Sequence, residues 1–256
     1  MKELPDGEEI DLTNDPSDDF DPDISEDGSQ IAFVSLRTGQ PQVYVIGIDG
    51  GGLRQLTESR DGAQTPRWSR DGRWIAYSDG GAVAVIAAEG GEATTLGAPD
   101  QRASPAPCKS GAFIGGWSPD DRVITYYSAT AATNEGQVCT VSADGGEPTV
   151  LVSAPGTIAA EPVFSPDGTQ MVYRAIVNGQ HDIWLLDVAT GKQTNVTDDA
   201  DLDIEPDWSP DGQWIAFGSL RPGAPFFDLY VMRPDGSDVR QVTEDPAKEA
   251  NPVWGP

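Results

Sequence analysis

The chain has few of the residues on which most enzyme active sites depend. It contains one histidine, His181, and two cysteines, and only four of its 16 basic residues are lysines. A Ser-His-Asp triad would have to use His181, and no Gly-x-Ser-x-Gly, His-x-x-x-His or Cys-x-x-Cys motif is present. Because His181 lies in a predicted turn before Ile183, we expect a structural or solvent role for it. The sequence therefore predicts that the chain is not an enzyme.

Positive charge and long apolar runs are also scarce. The 42 acidic residues outnumber the 16 basic ones and give a net charge of -26. Phosphate binding needs basic stripes, so we expect no nucleic-acid partner. No stretch of 18 apolar residues exists, so we expect no membrane insertion, and we expect no export signal in this chain. The acidic balance favours basic or neutral protein partners, with turn chemistry or salt adaptation as alternative explanations.

Glycine and proline, by contrast, are abundant, with 29 and 21 residues, and they accompany a repeated motif. An apolar residue, a serine and an acidic turn recur every 44 to 49 residues. The copies are Ser25-Glu26-Asp27-Gly28, Ser69-Arg70-Asp71-Gly72, Ser118-Pro119-Asp120-Asp121, Ser165-Pro166-Asp167-Gly168 and Ser209-Pro210-Asp211-Gly212. We expect the aspartates at 27, 71, 167 and 211 to bond backbone groups in the first hairpin of each unit.

Each repeat contains four short apolar runs separated by turn residues, and no window carries an amphipathic helix. Antiparallel four-stranded units at this period predict an all-β propeller, with a stacked solenoid as the alternative. The predicted architecture is a single six-bladed domain covering 1–256. Five blades cover about 20–57, 64–96, 113–152, 161–197 and 205–243, and N- and C-terminal strands from 1–13 and 249–256 close the ring as an incomplete sixth blade. The seven tryptophans are expected mostly at core positions of the repeat.

The pattern Pro-x-Trp-Ser-Pro-Asp-Gly at 206–212, followed by Ile215-Ala216-Phe217 and Leu229-Tyr230-Val231-Met232, resembles the TolB-type propeller repeat. The resemblance extends from Leu12 to Trp254. It implies a six-bladed propeller that serves as a binding scaffold in an envelope protein, periplasmic or extracellular. Other domains of a larger parent protein are further expected partners. Relatives of the repeat also occur in peptidase-like enzymes and in oligogalacturonate lyases, but the lyase metal needs several histidines.

The two cysteines, Cys108 and Cys139, both fall in the third unit. A disulfide between them would hold the long segment before that unit and would suit an oxidising compartment. Two unpaired thiols, one in a loop and one in a strand, are the alternative.

In several repeats an oxygen-bearing side chain directly precedes the proline of the first predicted strand. Propeller geometry places Asp21, Thr65, Glu161, Glu205 and Asn251 in a ring near the axis. Asp199, Asp201, Asp203 and Glu205 alternate, so an extended chain would put them on one side. Carboxylate clusters suit calcium or magnesium, and a solvated acidic rim is the alternative. The candidate metal ligands, with Ca²⁺ as the candidate cofactor, are Asp21, Glu161, Asp199, Asp201, Asp203, Glu205 and Asn251.

Thr65, Arg67, Phe226 and Phe227 are candidate binding residues. The two phenylalanines are adjacent in a loop where aromatic rings are predicted to be exposed. The leading hypothesis is a non-catalytic scaffold that engages a protein or peptide through an acidic channel mouth. The alternative is a metal-dependent carbohydrate-binding or carbohydrate-active propeller that uses the central channel.

Overall fold

The computed structural model describes residues 12–96, 108, 111–130, 135–154, 156–199, 201–243, 252 and 254. Its 20 strands are β1 Asp19–Ile24, β2 Gln30–Ser35, β3 Gln42–Gly47, β4 Arg54–Gln55, β5 Ala63–Trp68, β6 Trp74–Asp79, β7 Ala82–Ala87, β8 Thr94–Leu96, β9 Ala112–Trp117, β10 Val123–Thr130, β11 Glu135–Ser142, β12 Thr149–Val152, β13 Thr157–Phe164, β14 Gln170–Val177, β15 Gln180–Asp187, β16 Gln193–Asn195, β17 Leu202–Trp208, β18 Ile215–Leu220, β19 Asp228–Met232 and β20 Arg240–Gln241. The described residues include no helix long and apolar enough to cross a bilayer.

The strands form five antiparallel four-stranded units in chain order, β1–β4, β5–β8, β9–β12, β13–β16 and β17–β20. We call these units blades 1 to 5. The first strand of each blade begins before the start given for it from the sequence, by four residues in blade 4, where it begins at Thr157. The outermost strands are short, with two to four residues, which limits the edge open to pairing. The predicted closing blade lies largely outside the described residues, so the count of six remains a prediction.

Blades 3 and 4 are joined in one sheet by a feature that the repeat does not predict. A parallel bridge links Gly136 of β11 to Ile158 of β13. The strands are long enough to meet because β10, β11, β13, β14 and β15 have eight residues each. A Cβ atom at position 136 would lie 2.7 Å from Cγ2 of Ile158, so glycine permits this approach.

The apolar core lies between neighbouring blades rather than at one centre. Between blades 1 and 2, for example, Val43 and Val45 pack in one buried cluster with Ile75 and Tyr77. Equivalent clusters connect blades 2 and 3, blades 3 and 4, and blades 4 and 5. Each blade therefore depends on its neighbour to bury its face, as expected for a repeat protein.

The tryptophans do not all follow the predicted core pattern. Trp68, Trp117 and Trp208, which end the innermost strands, are buried. Trp74 is instead 39% exposed, because it lies at the start of β6 beside the turn. Trp214, at the same repeat position, is half-buried with the guanidinium carbons of Arg233 and Arg240 3.9 Å and 4.9 Å from its ring centroid.

The repeated serine and aspartate form the same hydrogen-bonded turn in all five blades. In blade 5 the Ser209 hydroxyl donates to Asp211 Oδ1 at 2.7 Å and accepts the N–H of Trp214 at 2.9 Å. Asp211 Oδ1 also accepts the N–H of Gln213 at 2.9 Å. The predicted bonding of these aspartates to backbone groups is thus confirmed, with equivalent bonds from the N–H groups of Ser29, Arg73, Arg122 and Thr169.

The turn of blade 3 differs because Asp121 stands where the other copies have glycine. Its φ is 57°, in the left-handed region that aspartate visits more readily than most residues. The carboxylate accepts the N–H groups of Arg70 and Asp71 at 2.7 Å and 3.0 Å. The departure from the motif therefore links the turns of blades 2 and 3.

A disulfide joins Cys108 to Cys139 of β11, with their Cα atoms 5.9 Å apart. Tyr126 donates its hydroxyl to the Cys108 carbonyl oxygen at 3.0 Å, and the Cys108 N–H donates to Gln137 Oε1 at 3.3 Å. These bonds fix Cys108 against blade 3.

Asp203 of β17 is a buried charge within blade 5. The side chain is 0% exposed, and neither carboxylate oxygen has a hydrogen-bond partner among the described residues. Burial raises its pKa to about 6, and the negative charges of Asp199 and Asp182 add to this rise. The hydroxyls of Ser219 and Thr197 are close enough to oppose the rise, although neither forms a well-aligned hydrogen bond with the carboxylate.

Replacing Ser209 with Ala is expected to lower the free energy of unfolding by about 1–3 kcal/mol, because the N–H of Trp214 loses its acceptor, the buried hydroxyl of Ser209. Urea denaturation measures the change. The control is Ser237→Ala, since Ser237 also donates its hydroxyl to an aspartate, Asp235, but is exposed. The control is expected to cost less than about 0.5 kcal/mol. Equal losses in the two variants would contradict the role of the repeated turn.

Asp203 is expected to make the fold more stable as the pH falls from 7 towards 4. Its folded pKa of about 6 exceeds the ordinary value of 3.8, so the folded state takes up a proton before the unfolded state does. The gain is at most about 3 kcal/mol. Asp203→Asn should therefore be more stable than the parent at pH 7 and should gain less on acidification.

The matched control for this comparison is Asp144→Asn, which removes an exposed aspartate. Thermal unfolding at several pH values between 7 and 4 compares the three proteins. Identical pH dependence in Asp203→Asn and the parent would show that Asp203 does not titrate as its burial requires.

Candidate functional site

The innermost strands of the five blades, β1, β5, β9, β13 and β17, surround a cavity of about 460 Å³, which we call the channel. Pro252 and Trp254 complete the described part of its wall. The volume lies within the range typical of ligand pockets. The charged residues of the lining are mainly acidic: Asp21, Asp23, Glu26, Glu161, Glu205 and Asp207, with Arg67 and Arg70.

Four of the residues predicted to ring the axis do line the channel. These are Asp21, Thr65, Glu161 and Glu205, which we call the mouth ring. All four are half-buried and have positive φ angles, of 50°, 50°, 55° and 54°. Positive φ is unusual for residues other than glycine, and its recurrence at one repeat position indicates a shared structural demand. The fifth predicted member, Asn251, lies outside the described residues.

A β-bulge at each mouth-ring residue accounts for this conformation. In blade 1 the register passes from Phe20 opposite Val34 to Asp23 opposite Ala32, so Asp21 and Pro22 face one residue, Phe33. The same shift occurs in blades 2, 4 and 5. Proline is tolerated there because a bulge needs no ladder hydrogen bond from it. The bulge turns the preceding side chain towards the channel.

Blade 3 has a different bulge, and the mouth ring is interrupted there. Ile114 occupies the repeat position of Thr65, and Gly115 occupies that of the proline. A Cβ atom at position 115 would lie 2.0 Å from the carbonyl oxygen of Pro162, so blade 4 approaches too closely for any side chain. The channel wall at blade 3 therefore carries no acidic group at this position.

Mouth-ring side chains also bind the backbone of the following blade. Thr65 Oγ1 accepts the N–H of Ile114 at 3.0 Å. Glu161 Oε2 accepts the N–H of Glu205 at 2.7 Å, again one repeat further along. These bonds give both N–H groups an acceptor from the preceding blade. The side chains that line the channel thus also hold successive blades together.

A second set of bonds lies two residues further along each strand. Asp23 Oδ2 accepts the N–H of Trp68 at 2.7 Å, and Asp207 Oδ2 accepts the N–H of Trp254 at 3.1 Å. Trp254 therefore bonds to the strand before it, β17 of blade 5, in the same way that Trp68 of blade 2 bonds to β1 of blade 1. In blade 2 the equivalent residue is Arg67, whose carbonyl oxygen accepts the indole N–H of Trp117 at 2.9 Å.

Burial gives the deeper carboxylates unusual protonation properties. It raises the pKa of Asp207 to about 6 and also raises that of Asp23. Both side chains retain some exposure to the channel, but protein surrounds the carboxylate groups. The positive charge of Arg67, which lines the same cavity, opposes both shifts.

A line of polar contacts leads from the channel to the single histidine. Arg174 forms an ion pair with Glu161 at 2.6 Å, and its Nη1 lies 3.3 Å from Nδ1 of His181. Because the guanidinium can only donate, this histidine nitrogen accepts and the ring is neutral. Burial and then Arg174 lower the pKa of His181. His181 lies in β15 opposite Ile176, so the predicted turn placement was wrong.

An aromatic surface covers the wall where the mouth ring is interrupted. Phe113 of β9 and Tyr127 of β10 face each other across the strand pair, with ring centroids 4.8 Å apart and planes 12° from parallel. Both residues line the channel. One side of the channel is therefore aromatic, while blades 1, 4 and 5 contribute carboxylates.

The other acidic residues predicted as metal ligands lie away from this ring. Asp199 and Asp201 both form ion pairs with Arg221, Asp199 at 3.2 Å. Asp203 is enclosed in blade 5. In the part of the chain that the structure describes, no three Asp, Glu, His or Cys side chains are grouped to hold one metal ion. Of the alternating segment, Asp199 and Asp201 thus pair with arginine, Asp203 is enclosed within its blade, and Glu205 reaches the channel.

The predicted binding residues are divided between two places. Thr65 and Arg67 line the channel, whereas Phe226 and Phe227 do not contribute to its lining. Phe226 is 44% exposed, and Phe227 is half-buried near Gly218.

Sequence reasoning missed five residues of the site. Asp23 and Asp207 could have been found, because they occupy the same repeat position as Arg67, two residues after the mouth ring. Phe113, Tyr127 and Arg174 carry no such signal, since they resemble ordinary strand residues.

Comparison with known proteins agrees with this architecture. The sequence model of the TolB beta propeller domain matches residues 2–115 and 113–256. A protein TolB homolog of Chlorobium luteolum is 33% identical over 184 residues, which cover 64% of this chain and 36% of the relative. The Tol-Pal system protein TolB of Anaeromyxobacter dehalogenans is 34% identical over 152 residues, covering 52% of this chain and 33% of the relative. The matched regions cover about a third of the length of these relatives.

A solved structure shares the fold. TolB from Acinetobacter baumannii matches with a TM-score of 0.78 at 19% identity, over 96% of this chain and 59% of that chain. Because the family model also matches nearly every residue, the chain belongs to the TolB β-propeller family.

Proposed function

We propose that this chain is a non-catalytic binding domain of a cell-envelope protein, and that a protein or peptide partner binds at the mouth of the channel. The observation that carries the proposal is the mouth ring. Three of its four members are acidic, they come from different blades, and bulges direct them all towards one cavity. Bulges that re-aim side chains at a cavity are a common feature of binding sites.

Electrostatics supports a basic or neutral partner. The net charge of -26 attracts cationic surfaces over long range, and six carboxylates against two arginines focus that attraction in the channel. Such steering accelerates association and disfavours acidic partners.

The position of His181 supports a role without catalysis. A triad histidine is oriented by a carboxylate bonded to Nδ1, so that the other nitrogen can take a proton from the nucleophile. In this chain Nδ1 contacts the guanidinium of Arg174 instead. Because Nδ1 accepts from Arg174, the neutral ring carries its proton on Nε2, which therefore cannot take one from a nucleophile, and the lowered pKa weakens the ring as a base.

A periplasmic location is part of the proposal. Its support is membership of the TolB family together with the Cys108–Cys139 disulfide, since disulfides persist in oxidising compartments. Other domains of a larger parent protein are a second class of partner, because the matched regions cover only 36% and 33% of these relatives.

The mouth is expected to determine partner capture. Asp21→Asn combined with Glu205→Gln removes two charges but keeps the side-chain shapes, and asparagine tolerates positive φ. Immobilised chain and variant are compared for proteins retained from an envelope extract of the encoding organism. The variant should retain at least about tenfold less of a partner protein, because the complementary charge is lost.

The matched control is Asp144→Asn combined with Glu89→Gln. Both residues are exposed, lie outside the channel lining and change the net charge equally. The control should retain as much partner as the parent chain does. Equal retention by the mouth variant and the control, or no protein above a charge-matched unrelated protein, would contradict the proposal.

A further inference from the structure

The channel mouth combines two chemically different surfaces. One is the stacked Phe113–Tyr127 pair of blade 3. The other is the set of mouth-ring carboxylates from blades 1, 4 and 5, Asp21, Glu161 and Glu205. Aromatic faces attract cations through their quadrupole, and carboxylates attract them directly.

Several charges act on the Tyr127 hydroxyl across the channel. Burial is the main reason that its pKa rises to about 12, and the negative charges of Glu161, Asp21 and Glu205 add to the rise. The positive charge of Arg174 lowers the pKa of Tyr127. Tyr127 and these three carboxylates come from four blades and line the same cavity.

Arg174 does not neutralise this set. It pairs with Glu161, and one guanidinium carries one positive charge against three carboxylates. Arg67 occupies the same position after the bulge as Asp23 and Asp207, and its positive charge opposes the rise in their pKa values. The mouth thus keeps an excess of negative charge beside an aromatic surface.

The dimensions of the site select the kind of cation. Among the described residues these carboxylates are not grouped closely enough to coordinate one metal ion together. A cavity of about 460 Å³ accommodates a larger ion with its aliphatic stem. A guanidinium is planar, so it can lie flat on an aromatic ring while its edges donate to carboxylates.

We propose that the channel mouth binds a guanidinium group, held between the Phe113–Tyr127 pair and the carboxylates of Asp21, Glu161 and Glu205. This inference rests on the proposed function, to which it adds the chemistry of the recognised group. The guanidinium belongs either to an arginine side chain of a partner peptide or to a free small molecule.

Two probes distinguish these sources. One is N-acetyl-arginine methylamide, and the other is a nine-residue Gly/Ser peptide with a central arginine. Binding is followed by quenching of intrinsic tryptophan fluorescence, because Trp68, Trp117, Trp208 and Trp254 line the channel. Peptide affinity at least about tenfold above that of the amide identifies a partner side chain, and equal affinities identify a small ligand. Both results support the site.

The citrulline forms of both probes supply the decisive comparison, because citrulline has nearly the same shape as arginine without the charge. If the site recognises the charge of the guanidinium, each citrulline probe should bind at least about tenfold more weakly than its arginine form. Phe113→Leu should weaken arginine binding about threefold to tenfold, since it removes an aromatic face but keeps an apolar side chain. Asp21→Asn should weaken it similarly, and Asp144→Asn should leave it unchanged.

Equal binding of arginine and citrulline, or no effect of Phe113→Leu, would overturn the inference. Circular dichroism and thermal unfolding confirm that each variant is folded. If Phe113→Leu still captures the partner at the parent level while arginine probes do not bind, the guanidinium site is wrong and the proposed function stands. If no partner is captured but arginine probes bind, the proposed function fails instead.

Discussion

The architecture depends on how the innermost strands of successive blades meet around the axis. Each blade buries its face against the next, so the strands nearest the axis must approach closely while still satisfying their backbone N–H groups. The bulges at Asp21, Thr65, Glu161 and Glu205 meet this constraint. At these bulges Thr65 and Glu161 also supply an acceptor for an N–H group of the following blade. Each bulge requires a positive φ at a residue that has a Cβ, and this strain is on the order of 1–2 kcal/mol per residue.

The same constraint creates the site. A side chain that must reach the backbone of the next blade has to point towards the axis, and an acceptor suits an N–H donor. The channel therefore collects oxygen atoms for structural reasons, and their excess charge then becomes available to a ligand. Asp23 and Asp207 show the two effects together, because each accepts a tryptophan N–H and also lines the channel. Blade 3 departs from the pattern, and its aromatic surface gives the mouth two chemically different sides.

Much of the fold could be predicted because the repeat is local. Ser209, Asp211 and Trp214 interact within one turn, so their spacing in the sequence is their spacing in space. The mouth ring was also predictable, since a repeat position maps onto one ring. Contacts between residues that share no repeat position were not. The ion pair of Arg174 with Glu161, the approach of Gly115 to Pro162 and the pairing of Asp201 with Arg221 each depend on how strands are placed in three dimensions. The alternation of acids from 199 to 205 was real, but alternation alone does not show what the side chains face.

The central claim is that channel side chains hold the blades together and also face the ligand. Amide hydrogen exchange tests it most directly, at the N–H groups of Trp68, Ile114 and Glu205, which bond to channel side chains of the preceding blade. These amides are expected to exchange nearly as slowly as the central strands, and to slow further when N-acetyl-arginine methylamide is added. Exchange as fast as in the short outer strands, unchanged by the ligand, would contradict the account.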